Sequence, residues 1–389
     1  MANNKIKYYP VGNGDTSLIT LKDNSTFLID CNIREGEKDS NNNQIYNVKE
    51  DLIKSIQKRD NNPYVDLFVL SHPDQDHCRG FKKHFYHGDP TYYNATNREN
   101  EEIIIDEIWV TSLLFTLDQS DDAHAVRNEV NRRKRLTGAE REKRGNRLRL
   151  IGYDDDEKFE NVITHTPGNE VNQINDITYS NFSLFIHAPF KKDLIKSKAE
   201  GDKNSSSVVF QARFKDNDND LDHKTFAIFG GDADHYKWDK IISISEGNDN
   251  SKYLKWDLFL APHHCSWTYF NDVPYENEGN KSPKDYSLKL LKEYRETKGK
   301  IIASCNKVID AKPNPPHFAA KTEYVKTLDS SDDFFELATL PKESAPEPIE
   351  FIITNNGITK STDKAKAAIT SGGAAGAAST VVKNGKHVV

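Results

Sequence analysis

The chain has 389 residues, of which 36% are hydrophobic, and a formal charge of −7. This composition supplies a sizeable core and excludes collagen-like, coiled-coil and wholly disordered chains. No apolar run approaches the roughly 18 residues of a membrane-spanning helix. The acidic balance argues against a surface that cradles nucleic acid as a whole.

The cysteines and the first residues of the sequence indicate a compartment. The four cysteines lie far apart and form no CxxC pair, so neither a disulfide framework nor a Cys-rich zinc finger is indicated. The first nine residues contain no continuous apolar stretch of the kind found in signal peptides. We therefore expect a cytoplasmic protein that does not enter the membrane.

Short strands and a helix follow one another along the first 70 residues. Apolar patterning predicts strands at Lys5–Val11, Thr16–Leu21 and Thr26–Asp30, and helical spacing at Asn47–Arg59. A further apolar run, Val65–Leu70, predicts the next strand. This order of elements indicates a layered α/β architecture.

A charged segment, residues 91–171, interrupts this pattern, and we interpret it as a charged helical insertion. Within it, Arg127–Arg149 carries ten basic and three acidic residues, a net charge of +7 in an otherwise acidic chain. We call this stretch the basic tract. It predicts either an arm that binds the phosphates of a nucleic acid or a solvated helical face paired with acidic side chains elsewhere.

Regular elements resume after the charged segment. Strands are predicted at Ser183–His187, Ser206–Phe214, Lys224–Phe229, Trp256–Ala261 and Lys300–Ser304, and helices at Ala233–Ser243, Tyr286–Tyr294 and His317–Leu328. Residues 360–389 are rich in Gly and Ala and have too little apolar bulk to fold alone, so they are predicted to form a flexible tail.

The densest chemical signal is SHPDQDH at residues 71–77, directly after a predicted strand. It holds four potential metal ligands: His72, Asp74, Asp76 and His77. A loop after a strand can direct several side chains to one point, and imidazole with carboxylate suits zinc, iron or manganese. The alternative is an Asp-rich surface turn with chance histidines, because Pro and Asp are common turn formers.

Three more polar clusters follow predicted strands. Asp232 ends one strand, the pair His263 and His264 ends the next, and His317 lies in the loop after a third. Singly, Asp232 could be a helix N-cap and His317 could stabilise a turn. Four strand ends with ligand-type residues favour a shared site, because α/β sheets hold their sites at strand ends.

Taken in order, these motifs resemble the metallo-β-lactamase fold, in the branch that contains the hydrolase domain of ComEC-type DNA-uptake proteins and the choline-phosphate esterases. The resemblance runs from about Tyr8 to Leu328. VGNGD at 11–15 resembles the family's glycine loop, LID at 28–30 its second-strand signature, and residues 72–77 a variant HxDxDH motif. Residues 204–210, 231–232, 262–266 and 316–317 resemble its Asn/Ser strand, GD strand end, HHGS segment and last ligand. Cys265 replaces the usual Gly, and Asn32 also stands where Gly is expected.

The resemblance implies a four-layer αββα metallo-β-lactamase sandwich over residues 1–359 that binds two zinc ions, with manganese as the alternative metal. It assigns His72, Asp74 and one of His263 and His264 to the first ion, Asp76, His77 and His317 to the second, and Asp232 to both. It implies catalytic roles for Asp76, Asp232 and His264. The backbone amides around Asn13, Gly14 and Asp15 are candidate phosphate contacts; the alternative is a plain tight turn.

The implied reaction is hydrolysis of a phosphodiester by a metal-bound hydroxide, with nucleic acid or a nucleotide as the substrate class. One alternative is a hydrolase of a small phosphate ester of the choline-phosphate type. Another is a non-catalytic binding module on the same fold. The insertion and the tail have no counterpart in the family pattern, so the resemblance does not determine the substrate.

Overall fold

The computed structural model describes residues 3–34, 38, 45–115, 120–152, 159, 161–215, 220–271, 282–310, 314–354 and 357–361. The predicted tail lies outside these residues except for its first two positions. None of the helices in the described ranges is both long enough and apolar enough to cross a bilayer.

Within these ranges the chain forms 22 strands and ten α-helices. The strands are β1 Asn4–Tyr8, β2 Ser17–Thr20, β3 Thr26–Ile29, β4 Cys31–Asn32, β5 Gln57–Arg59, β6 Asn62–Val69, β7 Ile104–Val110, β8 Arg147–Ile151, β9 Ile163–His165, β10 Glu170–Val171, β11 Gln173–Ile174, β12 Ile177–Thr178, β13 Phe182–Ala188, β14 Val209–Phe214, β15 Thr225–Phe229, β16 Trp256–Leu260, β17 Arg295–Ala303, β18 Phe334–Glu336, β19 Pro341–Lys342, β20 Ala345–Pro346, β21 Ile349–Thr354 and β22 Gly357–Lys360. The helices are α1 Val48–Ser55, α2 Gln75–Cys78, α3 Phe81–His84, α4 Ala95–Glu99, α5 Asp121–Lys134, α6 Lys191–Glu200, α7 His235–Gly247, α8 Pro262–Cys265, α9 Asp285–Glu293 and α10 Phe318–Lys326.

Two large sheets organise these elements. The first has ten strands in the order β22-β21-β1-β2-β3-β6-β7-β8-β9, with β5 paired to β6, and the second has seven in the order β10-β13-β14-β15-β16-β17-β18. Strands β3, β6, β7, β8 and β9 run parallel, as do β15, β16, β17 and β18. Each sheet therefore combines an antiparallel part with a parallel part. Within each sheet, the carboxyl ends of the parallel strands lie at the same edge.

The buried apolar side chains fall into three layers. One cluster lies between the two sheets and includes Phe27 and Trp109 from the first and Phe210 from the second. A second cluster covers the other face of the first sheet with α1, α3 and α5. A third covers the other face of the second sheet with α7, α9 and α10. The chain is a mixed α/β protein in which helices flank two packed sheets, since each sheet must bury both faces.

The interpretation of residues 91–171 as an insertion needs correction. This segment supplies β7, β8 and β9 of the first sheet, and all seven residues of β7 are buried. α5 packs its apolar side chains, such as Val126 and Val130, on that sheet. The segment is charged because its helix and loops face solvent, yet it builds one edge of the fold.

The basic tract is not a free cationic arm. The Arg133 guanidinium is buried, donates to Glu129 at 2.8 Å, and donates to the carbonyls of Arg147 and Ile105 at 2.9 and 2.8 Å. Arg132 makes two further bonds to Glu129, at 2.9 and 2.7 Å. These guanidinium groups join α5 to the sheet and share the single charge of Glu129, so they are not free to bind an anion.

We expect Arg133→Ala to destabilise the protein by about 3–5 kcal/mol, because it breaks a buried ion pair and leaves strand carbonyls without a donor. Arg135→Ala removes the same charge from an exposed position of the tract and serves as the control, with a change within about 0.5 kcal/mol. Urea denaturation of both variants measures the difference. Equal losses in the two variants would contradict the structural role of Arg133.

Candidate metal centre

Ligand-type side chains from both sheets meet at the carboxyl ends of the parallel strands. His72 and His77 follow β6, Asp232 follows β15, and His264 follows β16. The side chains of these four residues are at most 4% exposed. The two sheets face each other, so the carboxyl end of β6 in the first sheet lies opposite those of β15 and β16 in the second. The ligand clusters predicted at these strand ends therefore come together.

Asp232 is the centre of this group. Its Oδ2 lies 3.5 Å from His72 Nε2, and its Oδ1 lies 3.1 Å from His77 Nε2 and 3.7 Å from His264 Nε2. His72, His77 and Asp232 offer ligand atoms that all lie within 4.8 Å of one another. One carboxylate thus presents its two oxygens to imidazoles on two sides.

In the described part of the chain, Nε2 of His72, Nε2 of His77 and Oδ1 of Asp232 make no hydrogen bond of good geometry, although His77 Nε2 and Asp232 Oδ1 lie only 3.1 Å apart. Buried polar atoms are costly when unsatisfied, so a cluster of them facing one point calls for a bound group. Imidazole nitrogens together with carboxylate oxygens fit a divalent metal ion.

The charges of the group reinforce one another. Burial raises the pKa of Asp232, but the imidazoles of His77, His264, His72 and His263 together hold it well below its usual value. For His72, burial and His77 oppose protonation, yet Asp232 and Asp74 outweigh them and raise its pKa to about 9. The site therefore stabilises positive charge beside an ionised carboxylate, and a metal ion can supply that charge.

Asp30 supports His77 from behind. Its Oδ2 lies 2.8 Å from His77 Nδ1 and accepts a 2.6 Å hydrogen bond from the Ser71 hydroxyl, while its Oδ1 accepts the Ser71 backbone N–H at 2.7 Å. A carboxylate on Nδ1 fixes the ring and directs Nε2 toward Asp232, as the second layer of a metal site does. Asp30 was part of the second-strand signature, but the sequence did not indicate this role.

His264 is held in the same way from the second sheet. Its Nδ1 lies 3.1 Å from the Ser304 carbonyl, and its Nε2 lies 3.0 Å from Asp76 Oδ2. The Gly14 N–H also points at Nδ1 from 3.1 Å. Nδ1 has the Ser304 carbonyl as an acceptor and the Gly14 N–H as a donor within reach, and the tautomer of the ring decides which of the two contacts is a hydrogen bond. Ser304 is a supporting residue that the sequence patterns missed.

The two remaining carboxylates of the motif line the group. Asp74 Oδ2 lies 3.6 Å from His72 Nε2. Asp76 lies on the other side of the group, where its Oδ2 contacts His264 Nε2. Burial raises the pKa of Asp76, but His264 and His77 outweigh burial and lower it. The structure thus brings together His72, Asp74, Asp76, His77, Asp232 and His264.

The pair His263 and His264 sits in left-handed backbone. Residues 263, 264 and 265 have φ values of 51°, 54° and 64°. Such φ values favour glycine, so Gly would suit position 265. Cys265 adopts this left-handed backbone although it is not a glycine. The turn separates the two rings, so that His263 Nε2 lies 3.7 Å from Asp232 Oδ2 while His264 faces Oδ1.

His317 is buried next to this turn. Its backbone N–H donates to the Cys265 carbonyl at 3.1 Å, and its Nδ1 accepts from the Trp267 N–H at 2.8 Å. It belongs to neither of the two metal-compatible groups found among the described residues. Its ligand role stays a prediction.

The glycine loop differs from the phosphate contact that the sequence suggested. The Gly14 N–H points at His264 and the Asp15 N–H donates to the Asp76 carbonyl at 3.2 Å, so neither amide faces outward. The Asn13 side chain donates to the Pro315 carbonyl at 2.8 Å and accepts the Asn306 N–H at 2.9 Å. Two of the candidate amides are thus used within the fold, and a phosphate contact at this loop stays a prediction.

Asp15 has a different place from the one predicted. Its carboxylate lies 4.0 Å from His77 Nδ1 and 3.7 Å from His264 Nδ1, and the three residues form the second metal-compatible group. Burial raises the pKa of Asp15 to about 6, while His264 and His77 lower it. Because it faces the Nδ1 atoms, Asp15 lies behind the rings, opposite their Asp232 side.

Comparison with known proteins adds little to this geometry. No family model matches the chain, and no curated protein matches it. Among solved structures, the chain is similar to isothiocyanate hydrolase from Delia radicum gut bacteria, with 11% sequence identity and a TM-score of 0.37 over 85% of this chain and 95% of that chain. A likeness at that score does not establish a common fold, so function has to be argued from the site.

We expect Asp30→Asn to lower zinc affinity by roughly 10- to 100-fold, because the amide cannot hold His77 as the carboxylate does. Zinc titration of the purified variant measures the change, and circular dichroism checks the fold. Asp249→Asn, at an exposed position, is the matched control. Unchanged zinc affinity in Asp30→Asn would exclude a supporting role for Asp30.

We also expect opposite pH trends with and without metal. The raised pKa of His72 stabilises the chelator-treated protein below about pH 6.5, and this contribution is lost as the pH rises to about 9. Metal ions bind the neutral ring, so the rise in Tm that zinc produces should grow over the same interval. Differential scanning calorimetry at several pH values tests this. A zinc-induced shift in Tm that does not vary with pH would contradict the site.

Proposed function

We propose that this chain is a metal-dependent hydrolase of the metallo-β-lactamase fold that cleaves a phosphodiester bond. The observation that carries the proposal is the placement of Asp232, whose two buried oxygens face imidazoles on two sides. A carboxylate shared in this way suits a pair of divalent ions. The layer order of helices, two sheets and helices, with the site at the strand ends, agrees with this fold.

The geometry divides the ligands into two sets around Asp232. His72, Asp74 and His263 lie on its Oδ2 side, whereas His77, His264 and Asp76 lie on its Oδ1 side. We assign one ion to each set, with zinc as the first choice because of its nitrogen and oxygen ligands and manganese as the second. His264 thus moves to the second set, where the sequence resemblance had suggested His317.

Two divalent ions in such a site lower the pKa of bound water and stabilise negative charge on a phosphoryl group. The chain's own residues prepare this chemistry. Asp30 and the Ser304 carbonyl hold the rings of His77 and His264 in place. Asp232, His72, His77 and His264 are buried, which limits the access of bulk water to these side chains. Asp74 and Asp76 are partly exposed, so a substrate could approach the site on their side.

Part of the basic tract is used inside the fold, which supports a small substrate over a polymer. Arg132 and Arg133 are occupied by Glu129 and by backbone carbonyls, so these two arginines are not available to a nucleic acid, whereas Arg135 and Arg144 remain exposed. A nucleotide or a small phosphodiester is therefore our first substrate class, with a choline-phosphate-type ester as the second candidate. A non-catalytic module would bind metal without turnover.

We expect the zinc-loaded protein to hydrolyse bis-para-nitrophenyl phosphate. We expect Asp232→Asn to lower kcat/KM roughly 10⁴-fold, because removing one residue of a set that acts together has an effect of this size. Metal content, measured by elemental analysis, should fall from about two ions in the parent. Asp249→Asn controls for the loss of a surface carboxylate.

A substrate panel separates the alternatives. It contains single-stranded DNA, duplex DNA, RNA, the chromogenic diester and a choline-phosphate ester. Preference for the diester over polymers supports a small substrate. Efficient cleavage of polynucleotide would restore the nucleic-acid hypothesis, and metal binding without turnover on any member would favour the binding module.

A further inference from the structure

Four side chains at the candidate metal centre are partly exposed. Their exposed fractions are 30% for Asp74, 33% for Asp76, 26% for His263 and 24% for Lys203. We call these four residues the mouth. They are side chains of the site that solvent reaches, and Lys203 is the lysine among them.

Lys203 contacts the ligand group directly. Its Nζ lies 2.8 Å from Asp74 Oδ1, and the other oxygen of that carboxylate lies 3.6 Å from His72 Nε2. Asp74 therefore faces the metal ligands with one oxygen and the ammonium group with the other. Oδ2 would be available to hold a metal ion while Oδ1 keeps its contact with Lys203.

The turn that carries Lys203 is fixed to both ligand loops. The Lys203 carbonyl accepts the Ser206 N–H at 3.0 Å and the Ser206 hydroxyl at 2.7 Å. Ser207 Oγ accepts the Asp232 N–H at 3.1 Å, and the Val208 N–H donates to the Ser71 carbonyl at 2.9 Å. The backbone of Lys203 is thus held at a defined place beside the site.

Lys203 offers donors for an anion at this position. Five aspartates lie in or directly behind the candidate metal centre, namely Asp15, Asp30, Asp74, Asp76 and Asp232, and Lys203 carries an ammonium group that contacts one of them. Its ammonium group has three donors, and Asp74 accepts from one of them. The remaining donors can bind an oxygen of an anionic substrate.

We propose that Lys203 binds the phosphoryl oxygen of the substrate and makes the site specific for anionic esters. This inference rests on the proposed function and adds a specificity-determining residue to it. Neither the motifs of the sequence nor the ligand set indicated Lys203. Its contribution is made in binding, so its loss should raise KM for an anionic substrate more than it lowers kcat.

The test uses the zinc-loaded, full-length protein and inorganic phosphate as the binding partner. We expect Lys203→Ala to weaken phosphate binding, measured by isothermal titration calorimetry, roughly 10- to 100-fold. Metal content should stay at the parent level, and Lys203→Arg should restore most of the affinity. With substrates, KM should rise for bis-para-nitrophenyl phosphate and stay unchanged for neutral para-nitrophenyl acetate.

Lys192→Ala, which removes a lysine from an exposed position of α6, is the control and should bind phosphate as the parent does. If the alanine variant does not fold, Lys203→Gln replaces it. Unchanged phosphate affinity in the variant would overturn the inference. Loss of metal in the variant would also overturn it, because Lys203 would then act by supporting the metal ligand Asp74. Phosphate binding is read without turnover, so an inactive parent overturns the proposed function separately.

Discussion

The structure of the site depends on one buried carboxylate, that of Asp232. An isolated charge in this position would be too costly to bury, so its surroundings have to compensate for it. The four nearby imidazoles do so and hold its pKa far below the usual value. The constraint extends outward, because each ring needs a partner on its other nitrogen, and Asp30 and the Ser304 carbonyl supply two of them.

The two sheets make this arrangement possible. Each contributes parallel strands whose carboxyl ends reach the same region, so that β6 supplies histidines and β15 supplies the carboxylate they face. The apolar layer between the sheets sets their separation, and close packing keeps it constant. The positions of the ligands are therefore as rigid as the core itself, which is what a site with fixed metal geometry needs.

Much of this could be predicted from patterns in the sequence. Apolar runs identified β3, β15 and β16 to within one residue and β6 to within three, because buried strands leave a strong periodic signal. The ligand clusters at their ends were also visible. The role of Asp15 and the burial of Arg133 in the basic tract were not, since both depend on contacts between distant segments. Arg133 has the same charge as a surface arginine, and only the position of Glu129 and the strand carbonyls reveals its burial.

The pairing of β21 with β1 has a consequence for synthesis. β1 is made some 340 residues before its partner on one side, Ile349–Thr354. Until β21 is available, that edge of β1 offers unpaired backbone groups to other chains. Truncation before β21 would leave the same edge open, so loss of the last strands exposes the first sheet to association between chains.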